Sequence, residues 1–151
     1  MSNQKIDIEI PSFEVFFEYT AIVINNQGKN AKIAEELADN WLIENQLKLN
    51  LNDLTMRQVM QILKELKSYK YESDTLNVDE FEYDGHQFEY VDQPGNMYKT
   101  IKKAISNDPK KGFYQAIVNC YKCDGKSIKE VEETLNFLHA GVLVNNFSSF
   151  F

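Results

Sequence analysis

The sequence predicts an α+β domain: several short helices packed on a small antiparallel sheet that contains a β-hairpin at about 80–91. Three observations lead there. Phe81-Glu-Tyr-Asp-Gly-His-Gln-Phe-Glu-Tyr90 alternates apolar and polar residues about Asp84-Gly85. A two-residue type I′ turn favours Asp-Gly because both central positions need positive φ. Lys5 to Ile10 also alternates strictly, with Ile6, Ile8 and Ile10 on one side and Pro11 ending the run. Much of the remainder carries apolar residues three and four apart, the spacing of a helix face.

Taken in order, residues 5–10 read as a short half-buried strand belonging to the sheet. Ser12 to Gly28 reads as a helix, with Ser12 as cap and Gly28 beyond its end. Val15, Phe16, Phe17, Tyr19, Ile22, Val23 and Ile24 are strand formers, so a buried strand stays open for 13–24. From Asn30 to Gln46 a second helix is marked by Ile33, Leu37 and Trp41, with Ala34 and Ala38 beside them and Asn30 as cap. Asn50 to Asp53 is turn-like. A third helix follows, capped by Asp53 or Thr55, with Leu54, Val59, Met60, Ile62, Leu63, Leu66 and Tyr69 on its inner face.

The hairpin register pairs Tyr83 with His86 and Phe81 with Phe88. Phe81, Tyr83, His86, Phe88 and Tyr90 then share one face, while Glu82, Gln87 and Glu89 take the other. Gln93-Pro-Gly-Asn96 ends it. Asn96 can cap a helix over Met97 to Ile105, with Lys99, Lys102 and Lys103 outward, and Asn107-Asp-Pro109 breaks that helix. Phe113 to Cys120 forms the next, closed by Asp124-Gly125. Ser127-Ile-Lys-Glu130 is a capping box opening a helix with Ile128, Val131, Leu135 and Leu138 inward, which Gly141 stops. The final VLVNNFSSFF reads as an apolar tail. The whole of 1–151 reads as one domain, with a sub-boundary at 71–80.

Composition narrows the function. With 43% hydrophobic and 13% aromatic residues the chain can build a core. Its apolar runs are too short to span a bilayer, and its start lacks the layout of a secretory signal, so a cytoplasmic protein is expected, in a host cell or a virion. Two cysteines in such a chain argue against a disulfide framework. The net charge of −7 is unevenly spread. Residues 1–92 hold 8 Lys and Arg against 18 Asp and Glu, whereas residues 93–151 hold 8 Lys against 5. Between Tyr71 and Asp92 stand eight carboxylates and not one Lys or Arg. Nucleic-acid and membrane binding are therefore not expected. The segregation suits contact between copies of the chain or docking on a basic protein, unless these are only solvated faces.

Motifs for chemistry are few. Cys120-Tyr-Lys-Cys123 would fall at a helix C-terminus, where the dipole raises thiol pKa, so redox work is not expected. A structural zinc site needs four ligands, and only His86 and His139 remain as nitrogen donors. An enzyme would survive only if Cys120, Cys123 and His139 converged on a metal. There is no Gly-x-Ser-x-Gly elbow, phosphate-cradling loop or His-Glu-x-x-His. No catalytic, cofactor or metal residue is assigned, and no enzymatic activity is expected.

From the Glu82–Val91 hairpin onward, the layout resembles small bacteriophage tail-assembly and baseplate accessory proteins. A short hairpin leads into several short helices, here through Ala116-Ile-Val-Asn-Cys-Tyr-Lys-Cys-Asp-Gly-Lys-Ser127 and the capped helix to Leu138. The resemblance implies a non-enzymatic protein that holds, chaperones or joins virion parts, and it carries no functional residue over. The contact residues expected are Glu82, Tyr83, Glu89 and Tyr90 of the hairpin and Phe147, Phe150 and Phe151 of the tail, with protein partners that include copies of the chain. The alternative is an acidic inhibitor that mimics nucleic acid and blocks a basic groove, for which Glu72, Asp79, Glu82 and Glu89 would have to cluster.

Overall fold

Phe13, Phe16 and Phe17 fall three and four residues apart, and all three are buried. Burying that face settles the ambiguous segment as helix α1 (Phe13–Asn25). Phe13 meets Phe17 edge-on at 5.1 Å between ring centroids, and Phe16 meets Phe137 at 5.1 Å. Each such ring contributes about 1.5–3 kcal/mol on burial, more than the local strand preference of its neighbours.

The computed structural model describes residues 5–68, 80–83 and 85–145. Among them α1 is followed by α2 (Ala31–Trp41), a π-helical turn (Leu42–Gln46), a 3-10 turn (Leu51–Asp53) and α3 (Met56–Leu66). Then come β1 (Glu80–Tyr83), β2 (His86–Tyr90), α4 (Met97–Asn107) and α5 (Pro109–Cys120). The chain closes with β3 (Tyr121–Cys123), β4 (Lys126–Ser127), α6 (Ile128–Val131), a 3-10 turn (Glu132–Thr134) and α7 (Phe137–Asn145). The fold is α+β, and the strands form one antiparallel sheet in the order β1-β2-β3-β4. Among the described residues no helix is long and apolar enough to cross a membrane.

Several caps stand where the sequence places them. Asn30 Oδ1 accepts the backbone N–H of Lys32 at 2.8 Å, and Thr55 and Gln58 complete a capping box at the start of α3. α5 begins four residues earlier than expected. Asp108 caps it through the Lys111 N–H, and Pro109 takes the first helical position, where a missing N–H costs nothing. The segment read as a breaker therefore ends one helix and starts the next.

Three expectations are corrected. Residues 5–10 have no regular secondary structure and lie outside the sheet, with Ile6, Ile8 and Ile10 half-buried. Their partner is a side chain: Gln61 donates to the Ile6 carbonyl at 2.9 Å and accepts the Ile6 N–H at 3.0 Å, as a strand neighbour would. On α2 the small face turns inward. Ala34 and Ala38 are fully buried, while Ile33 and Leu37 are 44% and 39% exposed, because the alanines let α2 sit close to α1. Met60 of α3, expected inside, is exposed as well.

The third correction concerns the C-terminus. The helix expected to run on from Ser127 stops at Val131 and gives way to the 3-10 turn. Asn136 then caps a new helix, accepting the N–H groups of Leu138 and His139 at 3.0 and 3.2 Å. The Pro11 carbonyl accepts the Phe137 N–H and ties this start to the N-terminal segment. Gly141, expected to stop a helix, is buried inside α7, and Val142, Leu143 and Val144 are core rather than tail. A helix apolar on every side belongs in the middle of a fold, and α7 packs there against α1 and α5. Phe147, Phe150 and Phe151 lie outside the described residues.

Candidate functional site

The hairpin forms in the register its turn dictates: Glu80 opposite Glu89, Phe81 opposite Phe88, Glu82 opposite Gln87, Tyr83 opposite His86. Gly85, at φ 82°, supplies a positive-φ turn position. On β2, Phe88 is buried and His86 and Tyr90 are half-buried, while Glu80, Glu82, Gln87 and Glu89 are exposed. The expected separation into an aromatic underside and an anionic top holds for these residues.

What the sequence did not disclose is that the sheet continues. β3 pairs with β2, setting Phe88 opposite Cys123, Glu89 opposite Lys122 and Tyr90 opposite Tyr121. Lys122 stands 3.6 Å from the Glu89 carboxylate and neutralises part of the acidic face. Tyr90 packs its ring edge-on against Tyr121 at 5.8 Å and donates its hydroxyl to Asp92. It therefore sits on the face opposite Glu82 and Glu89. Of the expected contact residues, Glu82 and Glu89 share one exposed surface, Tyr83 joins His86 through the backbone ladder, and the three phenylalanines lie outside the described residues. Glu72 and Asp79 lie outside them too.

A surface of opposite sign follows within a short loop. α4 carries Lys99, Lys102 and Lys103, all exposed, and no carboxylate. The Lys102 ammonium lies 6.0 Å from the centroid of the Tyr98 ring, which is itself exposed.

The β2–β3 pairing assembles a second constellation. Asp124 and Gly125, at φ 51° and 81°, form an Asp-Gly turn between β3 and β4 like the one expected in the first hairpin. The Asp124 N–H donates to the Gln87 carbonyl at 2.7 Å, and the Gln87 N–H donates back to Asp124 Oδ1 at 2.9 Å. The other oxygen, Oδ2, lies 3.7 Å from His86 Nδ1 and 3.9 Å from Cys123 Sγ. Ligand atoms of His86, Cys123 and Asp124 all fall within 4.8 Å of one another. His139, buried on α7, packs edge to face on the His86 ring at 5.2 Å, and its Nδ1 accepts the Asn136 N–H.

The two cysteines are not bonded to each other. Cys120 closes α5 and Cys123 belongs to β3; both are free and buried. Burial, reinforced by Asp124, pushes the Cys123 thiol up to about 11, and burial with Asp92 raises Cys120. Both shifts favour the protonated thiol over the thiolate. An enzymatic reading depended on Cys120, Cys123 and His139 converging; the set that comes together among the described residues is His86, Cys123 and Asp124. The second Asp-Gly was visible in the sequence as a hairpin signal, but a helix directly before it made it read as a helix end.

No protein-family model, curated protein or solved structure matches this chain.

Proposed function

We propose that this protein is a non-enzymatic assembly protein that works by binding proteins, further copies of itself first among them, in the manner of the phage tail-assembly and baseplate accessory proteins its C-terminal layout resembles. The hairpin face of one copy meets the lysine face of α4 on the next. The observation that carries this reading is the pairing of Glu80 directly opposite Glu89 on the exposed face of a strand pair, with Glu82 beside them. Like charges directly opposite each other destabilise a hairpin, and a sequence that keeps them breaks a local rule of stability, as binding surfaces do. α4 offers three cations without a carboxylate to receive them. A contact between two different faces propagates from copy to copy and builds rings or filaments.

The test is light scattering after size exclusion across a salt series. Exposed charges are screened beyond about 8 Å at physiological ionic strength, so association should be strongest at low salt and fall as salt rises. A monomer at every salt concentration would remove the proposal.

The acidic-inhibitor reading retains one point in its favour. Strand geometry sets Glu80 and Glu82 about 6.8 Å apart, comparable to successive phosphates of a DNA strand. Lys122 beside Glu89 weakens the mimicry. That reading requires a monomer whose hairpin competes with DNA for a basic groove.

A further inference from the structure

We infer that His86, Cys123 and Asp124 form a binding site for a divalent transition-metal ion of the zinc class, independently of the assembly role. The donor set is an imidazole, a thiolate and a carboxylate, the three side chains that bind zinc in proteins. Tetrahedral zinc, with bonds of about 2.3 Å to sulfur and 2.0–2.1 Å to nitrogen or oxygen, places neighbouring donors about 3.3–3.6 Å apart. The distances of 3.7 Å from Asp124 Oδ2 to His86 Nδ1 and 3.9 Å to Cys123 Sγ need to shrink by a few tenths of an ångström, and the His86–Cys123 pair, within 4.8 Å, by about an ångström at most.

The charge also balances. On binding, the Cys123 thiol releases its proton to solvent, and thiolate plus carboxylate neutralise a doubly charged ion to which His86 adds a nitrogen donor. A histidine–aspartate ion pair alone would use two of these groups. The buried thiol aimed at the same carboxylate oxygen supplies the third.

The surroundings hold the donors in place. Gln87 N–H occupies Asp124 Oδ1 and leaves Oδ2 facing the other two, and the His139 ring backs the His86 ring. His86 and Cys123 sit on adjacent paired strands, and the Asp124 backbone is tied to Gln87, so the constellation rests on the sheet rather than on a free loop. Three protein ligands leave a tetrahedral ion one further position.

Titration of the full chain with Co²⁺ tests this. Saturation at one equivalent is expected, with a thiolate-to-cobalt charge-transfer band and the visible bands of tetrahedral cobalt, both bleached by one equivalent of Zn²⁺. Cys123→Ser should lose the charge-transfer band. His86→Gln and Asp124→Asn, both at partly exposed positions, should weaken binding by about ten-fold or more while leaving the circular dichroism unchanged. These two variants decide the matter if Cys123→Ser fails to fold. Cys120→Ser should bind as wild type. Absence of saturable binding, a spectrum without the thiolate band, unchanged affinity in His86→Gln and Asp124→Asn, or loss of binding in Cys120→Ser would each overturn the assignment.

Discussion

The Lys67 ammonium, just past the end of α3, lies 2.7 Å from the Asp39 carboxylate in the last turn of α2, and both side chains are only 13% exposed. Tyr19 of α1 donates its hydroxyl to the other Asp39 oxygen at 2.7 Å, and Glu35 meets Lys67 at 2.6 Å. One carboxylate thus ties three helices together. Asp39→Ala leaves a buried ammonium with its more exposed partner alone, and a loss of about 2–4 kcal/mol is expected in urea unfolding. Glu35→Ala should cost about 1 kcal/mol or less, because that pair is wetter. Equal losses would mean that Lys67 is solvated.

Gly112 sets the closeness of α4 and α5. A Cβ there would stand 2.4 Å from the Ile105 Cα, so the helices must separate to admit it. Gly112→Ala should lower stability by about 1–3 kcal/mol and thermal unfolding should show it. Gly28→Ala, with nothing within 4 Å, is the matched control and should change little.

The turn at 124–125 is expected to be sensitive at one position and tolerant at the other. Gly125→Ala forces a side chain into φ 81° and should cost about 1–2 kcal/mol. Asp124→Asn keeps a residue suited to the left-handed region and should leave stability nearly unchanged. Denaturant midpoints of the two variants check both.

Tyr114 brings an alkaline limit. Burial, then the hydrogen bond its hydroxyl donates to Glu132, raises its pKa above the ordinary 10.0. The folded state therefore favours the protonated phenol. Its contribution is complete below pH 10 and is lost as pH rises beyond that, because unfolded chains ionise first. Wild type should lose stability faster than Tyr114→Phe above pH 10, with the two curves parallel below it. Parallel curves throughout would contradict this.

Local signals in the sequence carried part of the fold. The first Asp-Gly set the hairpin register from Glu80 to Glu89, and Asn30 and Thr55 marked helix starts, because each acts on neighbours within three or four residues. What escaped depends on distant packing. Ile33 and Leu37 looked like the inner stripe of α2 since large side chains usually fill cores, yet the small Ala34 and Ala38 face it. Gly141 looked like a stop because nothing local announces that α7 lies buried. The acidic face was legible from Glu82 and Glu89, but its partial neutralisation by Lys122 was not. The His86, Cys123 and Asp124 cluster was hidden for the same reason. It exists only once β3 docks on β2, joining Gln87 to a residue 37 positions away.

The most direct measurement is a charge swap read by light scattering at low salt. Glu82→Lys with Glu89→Lys makes one variant; Lys99→Glu, Lys102→Glu and Lys103→Glu make the other. Each alone should be monomeric, and an equimolar mixture should associate, because the reversed hairpin of one meets the reversed α4 of the other. If wild type, both variants and the mixture all show the same mass, the hairpin and α4 do not join copies of this chain.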